Sequence, residues 1–470
     1  MDLLAWHQEK IKKISDELKK IHTLPEKKPI RFSHCSTNST RVQDKSDSNL
    51  IDISSLNEIL TIDIEKQVAI VEPNVPMDQL VNECLKYNLI PKVVMEFPGI
   101  TCGGGVNGAA LEASSFKYGQ FNDTCDEYEC ILADGTILIA NTQENSDLYY
   151  GISGSYGSLA LITRLTISLI PANQFVELTF YPTITEKIAD ELQKIIHKES
   201  IDYLEGIVFD PINAVTIVGK LSDKKDLPVV TFSRSIDEWF YLYAEKNAKK
   251  EKSTVLVPIK DYLFRYNRGA FWTGKNSFQL YHMPFNRFTR FLLNPFMNTR
   301  TMYKALHETN LAQNYFIQDF YIPTFRTNEF IQYSIKNLDI FPIWLCPIKG
   351  TKTHQKLSPH YLNEEMLIDV GLWGEPNSIK NIEEINTDFE KYVETIQGRK
   401  MLYAASFYSE DDFWKIYDRE WYKKLRKKYH SEESFPTIWE KTHVKKRYPI
   451  NKFAVFKIIK EVMLNIIKKL

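Results

Sequence analysis

Three consecutive glycines, Gly103, Gly104 and Gly105, followed by Gly108, sit within residues 101–119, TCGGGVNGAALEASSFKYG. Glycine gives up more conformational freedom on folding than any other residue, so such a run belongs where backbone must turn sharply or approach a ligand closely. Successive amide N–H groups in such a stretch form a concavity suited to an anion such as a phosphate. The stretch is not a Walker A loop, because no Lys-Ser/Thr pair follows it. It also meets the GxGxxG dinucleotide pattern only loosely, since it does not join the first strand and helix of a βαβ unit. Taken alone, the run is better explained as a glycine-rich turn without a ligand. Two other stretches add weight to a ligand. Residues 33–41, SHCSTNSTR, are dense in hydroxyl and amide side chains, which cap turns and also hydrogen-bond phosphate and ribose oxygens. Residues 151–169, GISGSYGSLALITRLTISL, place small residues in a turn before a strand, where a planar ring can reach the backbone.

The chain has 470 residues, enough for two or three domains. A net charge of -1 carries no electrostatic footprint of a nucleic-acid binder. The six cysteines form no C-x-x-C pair and have no histidine at zinc spacing, so free thiols in a reducing compartment are expected, with no metal. The first 22 residues alternate apolar and charged residues at helical spacing, unlike a secretory leader, and no window reaches the roughly 18 apolar residues that span a bilayer. The expected location is the cytoplasm or the cytoplasmic face of a membrane.

Alternation predicts a hairpin from Ile59 to Ile64 and Val68 to Glu72, a helix over residues 76–89, and a second hairpin turning at Asp134-Gly135. Longer helices between strands begin near Phe175. Residues 339–349, 365–374 and 398–408 read as three strands of one sheet, and residues 409–430 as one helix with Ser409 as its N-cap. At the end, Phe453, Phe456, Ile459, Met463, Ile466, Ile467 and Leu470 share one broad helical face, with Lys452, Lys457, Lys460, Lys468 and Lys469 mainly around the other. Such a basic amphipathic helix either lies in a membrane interface or docks on protein. Peripheral membrane contact through residues 451–470 is therefore one expectation.

The polar loop, glycine run and small-residue turn stand in a recognisable order. With the phrases VEPNVPMDQL, YECILADGTI, YLEGIVFD, FIQDFYIP, FPIWLCP, LIDVGLWGEP and MLYAASFY, the chain resembles the delta(24)-sterol reductase (Diminuto/seladin) family. That family lies within the vanillyl-alcohol oxidase, or PCMH-type, FAD-binding superfamily. The resemblance runs from about residue 50 to 445. It implies an α+β fold: a PCMH-type FAD-binding domain of two subdomains, plus an α+β substrate (cap) domain with an antiparallel sheet. The implied division is an N-terminal helix over 1–22, the FAD domain over 23–172 with a split near 100, the cap over 173–408, a helical return to the FAD domain over 409–445, and the basic helix over 446–470.

The resemblance implies FAD, NADPH as electron donor, and a hydrophobic, sterol-like substrate; non-covalent attachment of the flavin is expected because His34 and Cys35, near the first loop, lack the G-G-H context of a covalent link. Its FAD stretch falls on Thr101, Cys102, Gly103, Gly104, Gly105, Val106, Asn107, Gly108, Ala109, Ala110, Leu111, Glu112 and Ala113, continuing through Ser114, Lys117, Tyr118 and Gly119. Ser36, Thr37, Asn38 and Ser39 are expected on the first cofactor loop, and Gly154 and Gly157 on the turn near the flavin. Ala110 and Ala160 stand where the family tends to carry glycine. Reducing an isolated alkene needs a hydride and a proton, and the acid candidates are Tyr403, Tyr408, Asp369 and His282. Three functions follow: a reductase of a sterol or isoprenoid side-chain double bond, an FAD oxidase or dehydrogenase of an alcohol or sugar, and a flavin-binding, membrane-associated protein without catalysis.

Overall fold

The computed structural model of the chain describes residues 2–467 apart from 26–27, 35–37, 42–46, 199, 352–354 and 452. The fold is α+β, as the resemblance implies, and it is organised by two antiparallel sheets. The expected N-terminal helix spans Leu3–His22. The Asp2 side chain accepts from the Leu4 and Ala5 amides at its start, and Lys19, Lys20 and His22 sit favourably in its last turn. Its buried stripe of His7, Ile11, Ile14 and Leu18 follows helical spacing and packs on Ile51, Ile53, Ile131, Leu161 and Phe435. Inside that contact His7 bridges two buried carboxylates, with Nδ1 at 2.7 Å from Glu72 and Nε2 at 2.7 Å from Glu129, while Lys10 reaches Glu72 at 2.6 Å.

The first sheet has the order Ile59–Asp63, Val68–Val71, Leu161–Pro171, Cys125–Ile131, Ile137–Asn141, and Leu89–Pro91 pairs with the far end of Leu161–Pro171. Both expected hairpins are present, the second turning at Gly135 with φ +84. The glycine run is not the loop its composition suggests. Residues Cys102–Asn107 form a short helix, with the Thr101 hydroxyl accepting from the Gly104 amide at 3.3 Å. Glycine is needed there for packing as well as for any ligand, because a Cβ on Gly103 would lie 2.6 Å from that of Pro73.

The second sheet runs Ser253–Pro258, Phe175–Ile184, Asn213–Ser222, Tyr203–Val208, Ile343–Lys349, Met366–Gly374, Phe316–Pro323, Arg399–Lys400. Its strands alternate cleanly. Ile368, Val370, Leu372, Phe316, Phe320, Ile322, Ile343 and Leu345 pack into one core with the helices Ile188–Ile196, Thr327–Leu338 and Ile382–Thr395. The intervening residues, among them Ile317, Tyr321, Trp344, Cys346 and Trp373, join the core shared with the first sheet. Two expectations need correction. Residues 398–408 supply only the two-residue strand Arg399–Lys400. The helix over 409–430 is two helices, Glu410–Ile416 and Arg419–Lys428, because Tyr417 is extended and Asp418 caps a new start by accepting from the Trp421 amide at 3.0 Å. The C-terminal helix, Ala454–Ile467, packs against the helix Thr299–Thr309 and the turn Asn294–Phe296.

Candidate active site

One cavity of about 790 Å³ runs between the two sheets. Its first-sheet wall is made by Asn38, Ser39, Arg41, Thr101, Gly103, Gly104, Asn107 and Gly108, and its far wall by Phe271, Asp319, Trp344, Asp369, Trp373 and Tyr403. The strand alternation explains that far wall, since Asp319, Asp369 and Trp373 all lie on the face turned from the helices. In register Asp319 opposes Gly371 and Tyr321 opposes Asp369, so the two aspartates are diagonal neighbours.

The glycine end is basic. Arg31, Arg41 and Lys441 all line it. Arg41 is buried. Its Nε donates to the Lys441 carbonyl at 3.0 Å and its Nη1 to the Leu402 carbonyl at 2.5 Å, and its guanidinium lies 4.8 Å from the Tyr156 ring. Burial pulls its pKa down to about 10, Tyr156 opposes that shift and Arg31 adds to it; no described carboxylate neutralises the charge. Lys441 Nζ donates to the Gly157 carbonyl at 3.0 Å, and the Asn107 side chain accepts from the Gly157 amide at 2.9 Å. These bonds draw the glycine helix, the small-residue turn and residue 441 together. A buried guanidinium without an acid, beside glycines whose surface a Cβ would fill, fits the pyrophosphate of FAD.

The other end is acidic and starved of partners. Both carboxylate oxygens of Asp369 and Oδ1 of Asp319 are buried with no hydrogen-bond partner. Burial pushes Asp319 up to about 7, against the opposing pull of the Tyr403 hydroxyl and the Trp373 indole. Burial also raises Asp369 well above the ordinary carboxylate range, with Asp319 and Glu96 adding like-charge repulsion. Glu96 lines the same cavity, and burial, with Glu112 and Asp319 as further repulsion, pushes it up to about 8. Trp373 Nε1 donates to the Tyr403 hydroxyl at 3.2 Å. A carboxyl held neutral in this way is a proton donor.

The structure brings only some of the expected site residues together. Asn38, Ser39, Thr101, Gly103, Gly104, Asn107, Gly108, Ala110, Leu111 and Gly157 line the cavity, as does Ala160. Ser36 and Thr37 lie outside the described residues. Cys102, Gly105, Val106, Ala109 and Ala113 face the protein core beneath the glycine helix, and Ser114 donates to the Lys92 carbonyl. Lys117 pairs with Asp202 at 3.0 Å, Tyr118 packs against the core, Gly119 closes on Asp123 and Gly154 on the Leu357 carbonyl; none of these lines the cavity. Glu112 is also off the cavity wall, because Arg265 holds its carboxylate at 2.8 Å. Of the acid candidates, Asp369 and Tyr403 face the cavity. His282 is exposed, at φ +52, and Tyr408 is buried elsewhere.

Sequence reasoning missed Lys441, Glu96 and Asp319, and it included Arg41 in the polar stretch 33–41 without giving it a role of its own. It also missed the buried cluster in which Arg265 contacts Glu112 and Glu205 (2.9 Å), while Tyr266 and Trp344 donate to Glu205 at 2.7 and 2.8 Å. For Asp319 a signal existed: an acid at an inward position of the apolar strand FIQDFYIP.

The sequence profile of a family described as an FAD binding domain matches residues 13–141. Delta(24)-sterol reductase of Homo sapiens is 28% identical over 394 residues, covering 82% of this chain and 76% of that protein. Delta(24)-sterol reductase of Pisum sativum is 29% identical over 433 residues, covering 83% and 76%. Cytokinin dehydrogenase 9 of Oryza sativa subsp. japonica is 30% identical over 131 residues, 27% of this chain and 25% of that protein. The likeness to the sterol reductases thus extends into the second sheet, with its aspartates, whereas the likeness to the cytokinin enzyme is too short to span both sheets. The chain is an FAD-linked oxidoreductase that carries an FAD-binding domain at residues 13–141 and resembles the delta(24)-sterol reductases along most of its length.

Proposed function

We propose that the chain is an NADPH-dependent reductase of an isolated carbon–carbon double bond in a sterol or isoprenoid side chain. The observation that carries this reading is the pair of buried carboxyls, Asp319 and Asp369, at one end of an aromatic-walled cavity whose other end is basic and glycine-lined. Arg41, Lys441, Asn107 and the glycine helix hold the dinucleotide, with Asn38 and Ser39 beside them. FAD bound there supplies a hydride. The flavin is held without a covalent bond in this reading, since His34, the histidine on the cavity wall, stands in the context FSHCS and not in a G-G-H motif.

Saturating an alkene adds a proton to one carbon and a hydride to the other. Asp319 holds the proton on its carboxyl oxygen and delivers it to the less substituted carbon, so positive charge develops on the more substituted one. Asp369 lies diagonally across the register and shares the protonic charge of the pair. Tyr403 and Trp373 orient the Asp319 carboxyl, and Phe271 and Trp344 keep the site apolar and dry. A carboxyl held protonated up to about pH 7 suits alkene reduction, which needs an acid, whereas alcohol oxidation needs a base.

The test is anaerobic. The flavin-loaded protein should bleach on addition of NADPH and convert a Δ24-unsaturated sterol to a product heavier by two hydrogens. Bleaching by an alcohol and not by NADPH would overturn the reading.

A further inference from the structure

Phe456 and Ile459 of the C-terminal helix, and Tyr281 after the helix Thr273–Leu280, line the cavity and are also exposed, at 67%, 40% and 40%. The cavity therefore opens to the outside between these two segments. On one side of the mouth, the helix Arg287–Leu292 buries none of its side chains, and Phe288, Phe291 and Leu292 stand exposed at i, i+3, i+4 spacing, on one face. On the other side, Phe453, Met463 and Leu464 are exposed. The two groups adjoin, because the C-terminal helix touches Asn294–Phe296 directly after the first.

The docking of that helix on the protein explains one of its faces only. Ile458 is buried against the body, and Lys304 pairs with Glu461 across the contact. The opposite apolar side chains remain in water, and a contiguous patch of this kind marks an interaction surface. Its charge selects the occupant. Of the seven basic residues in 262–307, Arg265 and Arg268 are buried and Arg300 and Lys304 are ion-paired, which leaves Lys275, Arg287 and Arg290 to charge the rim. Lys275 and Arg287 are exposed around the mouth, as is Lys460 on the facing helix. In a symmetric dimer this basic rim would face its own copy, whereas an anionic lipid surface would attract it.

We propose that residues 281–293 and the C-terminal helix form one interfacial surface that seats on an anionic phospholipid bilayer, with the cavity mouth facing the acyl chains. The substrate then passes from the bilayer into the cavity without crossing water. This last step rests on the reading of the substrate as a lipid; the surface itself does not.

The test is flotation of the flavin-loaded full chain with vesicles of phosphatidylcholine, with and without phosphatidylserine. Binding should require phosphatidylserine or be strengthened by it, and should weaken with added salt. Phe288→Ser, Leu292→Ser and Phe453→Ser together should lower the bound-to-free ratio by about tenfold or more with flavin content unchanged. A single Phe288→Trp variant guards against misfolding: the difference between its emission and that of the native chain, which has eight tryptophans, should shift to the blue on vesicles and be quenched by brominated lipid. The proposal is overturned if the native chain does not float, if the triple variant floats equally well, or if sedimentation shows a dimer that the triple variant breaks. Flotation without any turnover would sink the reductase reading and leave the surface standing. Turnover of detergent-dispersed sterol without flotation would do the reverse.

Discussion

A carboxyl with neither oxygen hydrogen-bonded, as in Asp369, persists inside a protein only as the neutral acid, because an unpaired buried charge is too costly. Its neighbour Asp319 is pushed up to about 7 and titrates with it as a pair. Asp319→Asn should therefore lower the rate of alkene reduction by roughly 100-fold or more while flavin absorbance is retained. Because the acid must be protonated, the wild-type rate should fall as pH rises through about 7; a single-turnover rate flat to alkaline pH would remove Asp319 from this role. Tyr403 adds a sharper test. Its hydroxyl pulls the Asp319 value down, so Tyr403→Phe should move that descending limb to higher pH, with only a modest loss of rate. A loss as large as that of Asp319→Asn, without movement of the limb, would make Tyr403 the acid instead. Asp369 was legible in the sequence as an acid inside an apolar strand. Asp319 has the same signature, but its importance comes from a partner strand some 50 residues away, and pairing of that kind is invisible in one sequence.

Elements that carry periodicity were readable, and those that depend on tertiary contact were not. The N-terminal helix and both hairpins follow from apolar spacing alone. The glycine run became a helix because residues 73 and 75 accept its first amides, at 2.8 Å for Gly103 and 3.0 Å for Cys102, against a poor local propensity. The strand expected over 398–408 shrinks to two residues because the chain beyond Lys400 leaves the sheet to line the cavity with Met401 and Tyr403. The Arg265 cluster is the clearest case of long-range dependence, since it joins the loop at Glu112 to a strand at Glu205 and a turn at residue 265. Arg265→Met would leave two buried carboxylates facing each other. It should cost about 3–5 kcal/mol in urea denaturation, enough to lower flavin retention as well.

Across the whole molecule, protonation couples to stability in a definite direction. His7 is raised: its burial is outweighed by Glu129 and Glu72. Its contribution is fully present below the unfolded value of about 6.5 and is lost as pH rises through the higher folded one. Asp319 binds its proton more tightly in the folded state, so stability also falls as pH climbs from about 4 to about 7. Glu72 and Glu129 are lowered and act at the acid end, where their contribution disappears as they protonate. The thermal midpoint should therefore peak on the mildly acidic side and decline toward pH 9. His7→Gln should flatten the upper part of that decline, and Asp319→Asn the part below neutrality. A midpoint rising steadily from pH 6 to pH 9 would contradict both assignments.

The matched FAD-binding stretch ends at residue 141, yet the basic wall of the cavity is not complete there. Ser39 donates to the Tyr403 carbonyl, and Arg41 to the carbonyls of Leu402 and Lys441, which are 361 and 400 residues further on. During synthesis at about 5–20 residues per second, those partners emerge roughly 20–80 seconds after the loop they anchor. Cofactor capture is thereby deferred to the end of translation. A nascent chain halted before residue 400 should stay colourless, however well its first sheet has folded.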